Sequence, residues 1–229
     1  MKVWRKQYIY FIPVVYYLLL LWCLNKVGQI NVEKVFTVVS VLPLAVIALF
    51  QDEFKRWWLA PKLGIEFKLQ PPYCLKTPTS NGDFAYYFRF RVKNIGMNQA
   101  RLCECVAEDF WALQDNKTWK KYETFQPINL SWSNAKSKDE FMDINPECPG
   151  WFCDLVHIDH WNLQKLKIDF KQPVPFSQID GIIPNSKCRI KVSIYSENAK
   201  PISKIFEISW SGAWRDRREE MFNEIAISV

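Results

Sequence analysis

Glycine is scarce in this 229-residue chain, at 7 residues, and histidine is scarcer, at 2. So little glycine excludes collagen-like repeats and glycine-rich low-complexity assembly, and 16% aromatic with 24% charged residues excludes disorder. Two histidines support general acid–base catalysis poorly. The GxSxG, HExxH, Walker and GxGxxG patterns are all missing, so no enzyme and no cofactor is expected. The chain also has no internal repeat and no long linker. Its seven cysteines (Cys23, Cys74, Cys103, Cys105, Cys148, Cys153 and Cys188) are odd in number and fit no disulfide framework, which suits a reducing compartment. A net charge of +6, from 30 basic and 24 acidic residues, is too modest to argue for nucleic-acid binding.

Charge is also lacking in two stretches. Residues 8–24 (YIYFIPVVYYLLLLWCL) and 35–50 (VFTVVSVLPLAVIALF) contain no Asp, Glu, Lys or Arg. As helices each reaches roughly 25 Å, a little short of a hydrocarbon core of ~30 Å. The mean hydropathy of −0.16 therefore averages two unlike parts. A signal peptide is disfavoured, because no small-x-small cleavage site follows and a second apolar run comes soon after. Trp4, Trp22, Trp57 and Trp58 lie near the ends of the two runs, where amphipathic rings favour the headgroup layer. The expectation is a transmembrane hairpin over residues 1–50.

Basic residues orient it. Lys2, Arg5 and Lys6 precede the first span, and Lys55, Arg56 and Lys62 follow the second, against Lys26 and Lys34 in the loop between. Both termini are accordingly expected in the cytoplasm, with the chain a multi-pass membrane protein. Pro13 and Pro43 sit inside the spans. Either neighbouring helices tolerate the bends they cause, or two short, kinked helices disturb the bilayer when copies cluster. The spans carry no ionisable residue besides tyrosine, which argues against a selective channel or proton relay.

Past the membrane segment the pattern changes twice. Phe54, Trp57 and Trp58 repeat at helical spacing and predict an interfacial linker helix over 51–62. From residue 63 the period is two. Ile65, Phe67 and Leu69 alternate, Phe88, Phe90 and Val92 alternate with Arg89, Arg91 and Lys93, and Ile190, Val192 and Ile194 alternate with Lys191 and Ser193. Turn signals at Ser80-Asn81-Gly82, Asn94-Ile95-Gly96, Pro149-Gly150 and Asn198 to Pro201 punctuate these runs. Residues 63–229 are thus expected to form an antiparallel all-β sandwich, closed by a short helix over 213–225.

Three candidate sites present themselves. Cys148, Cys153, His157 and His160, with Cys103 or Cys105, have residue types suited to zinc but not a standard knuckle spacing. Cys153 and His157 form a nominal nucleophile–base pair, with nothing recognisable as an oxyanion hole. The basic residues Arg89, Arg91 and Lys93, with Lys68 and Lys76 nearby, suit an anionic partner, or else a solvated face or one meeting anionic lipid. No aromatic residues interleave with them for base stacking.

Tyr87 to Cys105 (YFRFRVKNIGMNQARLCEC) resembles a hairpin of immunoglobulin-like, CARDB-type domains, in which a strand ending V-x-N-x-G turns into one opening with a small residue, here Ala100. The likeness extends through Phe125 to Ser133, Pro149 to Leu155 and Ile190 to Trp210. A paired span joined to such a domain is similar, in overall layout, to the two-transmembrane effectors of retron antiphage systems. That resemblance implies a toxic effector held in check by a reverse transcriptase and its RNA–DNA hybrid, then released on infection to damage the inner membrane as a homo-oligomer. It carries over no catalytic residue. Two other classes stay open: a two-transmembrane effector that senses a cyclic nucleotide, and a non-toxic membrane-anchored binding scaffold.

Overall fold

The computed structural model describes residues 51, 58–79, 82–133, 141–171, 179 and 181–229. The chain divides into two compact units, Met1–Trp57 and Trp58–Val229, and the second is the one described below. The expected spans 8–24 and 35–50, Pro13, Pro43, Trp4, Trp22 and Trp57 lie outside the described residues. Among the described residues, no helix is long and apolar enough to cross a membrane.

Among the described residues, thirteen strands build two antiparallel sheets. In the first, β3 (Phe84–Asn94) is central. One of its edges pairs with β1 (Leu63–Glu66) and, further along, with β2 (Cys74–Pro78); the other pairs with β8 (Trp151–Asp159). β9 (Asn162–Ile168) and β10 (Gly181–Ile182) complete it. In the second, β4 (Ala100–Leu113) pairs on one side with β11 (Ser186–Tyr195), followed by β12 (Ile202–Trp210) and β13 (Ile225–Ser228). Its other side is shared by β5 (Trp119–Lys121), β6 (Ile128–Asn129) and β7 (Met142–Ile144).

The period-two runs act as their composition requires. Phe88, Phe90 and Val92 of β3 and Ile190, Val192 and Ile194 of β11 are fully buried in one core cluster shared by both sheets. Phe206 of β12 meets Phe90 at 5.2 Å and Phe67 at 6.2 Å between ring centroids, linking the layers. Burying a phenyl ring of this size stabilises by about 2–3 kcal/mol relative to exposure.

One stretch belongs to both sheets. Ile128 and Asn129 pair with β4, and the Leu130 amide donates to the Cys105 carbonyl at 2.9 Å. The next residues turn to the first sheet: Ser131 N–H donates to Asp169 O, Asp154 N–H to Ser131 O, and Ser133 N–H to Phe152 O.

Two expected helices are shorter than the sequence implies. Trp58 is helical, but Leu59 to Lys62 are not. Pro61 disfavours helical geometry at the residue before it. The freed backbone bonds the β3–β4 turn instead, with Asn98 N–H donating to Leu59 O and Ile95 N–H to Lys62 O. The C-terminal helix, α1, covers Arg218–Glu224 rather than 213–225, and Ile225 onward is strand β13. Trp214 explains the late start. Its ring packs at 4.9 Å on both Tyr86 and His160, and that contact holds 213–217 out of a helix.

Candidate functional site

Alternation along β3 turns Phe88, Phe90 and Val92 inward and Arg89, Arg91 and Lys93 to the opposite face. There they share a polar band with side chains of β1, β8 and β9. At its centre is Glu66, whose carboxylate meets Arg91 at 2.9 Å, Lys68 at 3.3 Å and, more closely still, Lys93. Lys93 first, then Arg91, hold the Glu66 carboxyl well below the usual carboxylate range despite the opposing effect of burial. One acid thus serves three cations.

Arg89 is only 8% exposed. Its Nε donates to Pro72 O at 3.0 Å, and the guanidinium lies 5.1 Å from the Phe152 ring centre. Arg91 stands over Tyr73 at 5.4 Å. Aromatic faces do accompany these cations, then, but Tyr73 and Phe152 come from segments distant in sequence, so local reading of β3 misses them. Tyr73 is buried, and its ring meets Phe152 edge-on at 5.4 Å, so neither is free to stack on a base.

Further along the face, burial pushes Asp154 up to about 6, partly offset by the Ser133 hydroxyl donating to it. His157 Nδ1 lies 2.9 Å from Asp169 Oδ1, an ion-pair contact without the alignment of a hydrogen bond. Tyr87 stacks on the His157 ring at 5.2 Å, and Lys167 pairs with Asp159 at 2.7 Å. Burial opposes charge on His157, yet Asp169 and Asp159 prevail and raise its pKa. In the sequence this cluster is visible only as the proximity of Asp154, Asp159 and Asp169 to His157.

Of the zinc candidates, Cys105 and Cys153 meet in the core, apart from both histidines. Cys103, Cys105 and Cys153 are buried on the core side, His157 is on the outer face, and His160 in the β8–β9 turn lies 2.9 Å from Asp83. Among the described residues, no three His, Cys, Asp or Glu side chains are grouped to hold a metal ion. The Cys153–His157 pair is split by the same geometry. Desolvation raises the Cys153 thiol far above its ordinary range and pushes Cys74 up to about 12 and Cys103 up to about 11. Thiols held so firmly protonated are poor nucleophiles. The expected interfacial anchor Trp58 is 55% exposed.

Where β3 ends, an open depression of about 440 Å³ is lined by Arg91, Lys93, Asn94, Ile95, Gly96, Glu147, Cys148 and Pro149. Gly150 borders it at φ +94°, where a Cβ would sit 2.4 Å from Val92 O.

No family model matches the chain, and no curated protein matches it. Among solved structures, it is similar to a protein of the archaeal flagellum of Methanospirillum hungatei strain JF1, with 14% identity over 80% of this chain and 87% of that one, at a TM-score of 0.31. A putative ApaA protein from Bordetella pertussis is similar at 9% identity, over 64% of this chain and 89% of the other, with a TM-score of 0.25. The structural genomics target SoR45 shows 12% identity, over 69% and 92% of the two chains, with a TM-score of 0.27. At such TM-scores these likenesses carry no argument about fold family or function.

Proposed function

We propose that the chain is a non-enzymatic effector that acts on the bacterial inner membrane. A hairpin of spans 8–24 and 35–50 anchors it, both termini face the cytoplasm, and an immunoglobulin-like domain over 63–229 serves for recognition. In this reading it is the toxic arm of a retron-type antiphage system. A reverse transcriptase with its RNA–DNA product restrains it through the β-domain, and release allows copies to associate and perturb the bilayer. The observation that carries the proposal is the pair of uncharged runs, 17 and 16 residues long, each interrupted by a proline, ahead of the two-sheet domain. The buried, strongly protonated thiols and the separation of Cys153 from His157 support a role without covalent catalysis. The excess of cations around Glu66 offers a surface to an anionic partner.

Expression of the unrestrained chain is expected to depolarise cells within the induction period, read with a potential-sensitive dye. Leu19→Lys or Val46→Lys, each placing a charge in mid-span at a cost of about 2.5–3.5 kcal/mol, should abolish the effect. Normal growth with an intact membrane potential at high expression of the chain alone would overturn the reading.

A further inference from the structure

The turn joining β3 to β4 exposes two aliphatic side chains, Ile95 at 71% and Met97 at 59%. Isolated apolar residues on a surface are ordinary. These two differ in what lies beside them. The turn is bonded to Leu59 and Lys62, immediately after the point where the chain enters the domain at Trp58. Only residues 51–57 separate that point from the end of the apolar run 35–50.

Charge points the same way. Ile95 shares the depression with Arg91 and Lys93. Lys68 joins those two at Glu66, and exposed Lys62 lies at the base of the turn. Counting Glu147 with Glu66, the three cations on the turn side (Lys62, Arg91 and Lys93) face two carboxylates, a small positive excess beside an aliphatic tip. An aliphatic tip ringed by cations matches the two layers of an anionic membrane surface, acyl chains behind phosphates. Nucleic acid would be served by exposed aromatic rings, and Ile95 and Met97 offer none.

We propose that this end of the domain docks on the anionic face of the lipid bilayer, with Ile95 and Met97 entering the headgroup layer and the Arg91–Lys93 depression meeting lipid phosphates. This inference rests on the membrane-anchored reading above. It identifies the surface that faces lipid and leaves the far end of the sheets for a partner. Ile183, 65% exposed, marks that far end. Ser186–Tyr195 runs from beside it to the turn that bonds Gln99 and Arg101 through Asn198, about 30 Å along a strand of this length.

The test uses the full chain carrying the photoreactive residue p-benzoylphenylalanine in place of Ile95, Met97 or Ile183, in bacterial membranes and in vesicles of phosphatidylglycerol or phosphatidylcholine. Irradiation is expected to yield lipid adducts at 95 and 97 and none at 183. In vesicles the yield should fall when phosphatidylcholine replaces phosphatidylglycerol or when salt is raised. Equal yields at all three positions, or adducts to protein or nucleic acid at 95 and 97, overturn the proposal. Alkaline extraction separates the two readings. A chain that resists extraction but gives no lipid adduct at 95 or 97 refutes the docking alone, whereas a chain stripped from vesicles refutes membrane anchorage and the docking with it.

Discussion

Asn94 uses every hydrogen-bonding atom of its side chain. Its Nδ2 donates to the carbonyls of Asn98 at 2.6 Å and Ile144 at 3.0 Å, while its Oδ1 accepts from the amides of Gly96 at 2.9 Å and Lys62 at 3.2 Å. Buried to 4% exposure, it ties β7 and the entering segment to the β3–β4 turn. Asn94→Ala leaves several of these groups without a partner and is expected to cost about 2–4 kcal/mol, measured by chemical denaturation. A loss below ~0.5 kcal/mol would show that water replaces the amide. Asp154 and His157 make a second prediction, on pH. Burial raises Asp154 to about 6, so above its unfolded value the folded state retains a proton that the unfolded chain has released. Stability therefore falls as pH rises from about 4 to about 6. His157 is raised by Asp169 and Asp159 against burial, so its contribution is complete below its unfolded value of about 6.5 and is lost as pH rises beyond it. Glu66 and Glu207 are lowered, by Lys93 and Lys187 foremost, so their contribution is lost in the opposite direction, as pH falls below about 4.5. The melting temperature should accordingly peak near pH ~5 and decline towards neutrality. Asp154→Asn should raise Tm at pH 7 and flatten that decline. A wild-type Tm that is level between pH 5 and 7 would dispose of the argument.

Elements were legible in the sequence where one face meets the core. The β3 alternation of Phe88, Phe90 and Val92 with Arg89, Arg91 and Lys93, and the turn at Asn94-Ile95-Gly96, are present as read. Alternation assigns a side chain to a face but does not say what covers that face. Arg89 was therefore readable as an outward cation and not as one buried under Pro72 and Phe152. The strand β13 was hidden because Ile225 and Ile227 also suit the end of an amphipathic helix. Pairing with Trp210 and Ile208 of β12, which no local pattern records, decides for strand. The β3–β4 turn provides a test at this scale. A Cβ on Gly96 would lie 2.5 Å from both Ala60 O and Lys62 N, so Gly96→Ala must separate the turn from the entering segment. The expected loss is about 1–3 kcal/mol, with faster hydrogen exchange at the Ile95 and Asn98 amides. Unchanged protection there would mean that the turn does not hold 59–62.

At the scale of the molecule, the two sheets depend on a shared aromatic centre. Phe206 is fully buried between Phe67 and Phe90, and Phe206→Ala should cost about 3–5 kcal/mol, enough to unfold the domain in many backgrounds. If the β-domain is where restraint acts, this variant should also lose response to the restraining complex while the spans keep their effect on membrane potential. Retained restraint in an unfolded domain would move the recognition surface elsewhere. The division at Trp57/Trp58 falls inside the stretch 51–62 that the sequence suggests as a linker helix, between the end of the apolar run at 50 and the first period-two strand at 63.

Residues 128–133 give this architecture a mechanical character. Their main chain pairs first with Val106 and Ala107 of β4, with a hydrogen bond to Cys105, and is then hydrogen-bonded to Asp154, Phe152 and Asp169. Layers joined only by side chains can slip over one another by exchanging rotamers, but layers stitched by a common run of peptide groups cannot. A load applied at Arg89 or Asp154 is therefore delivered to β4 through stiff amide linkages, and the two layers tilt as one body or rupture at that seam.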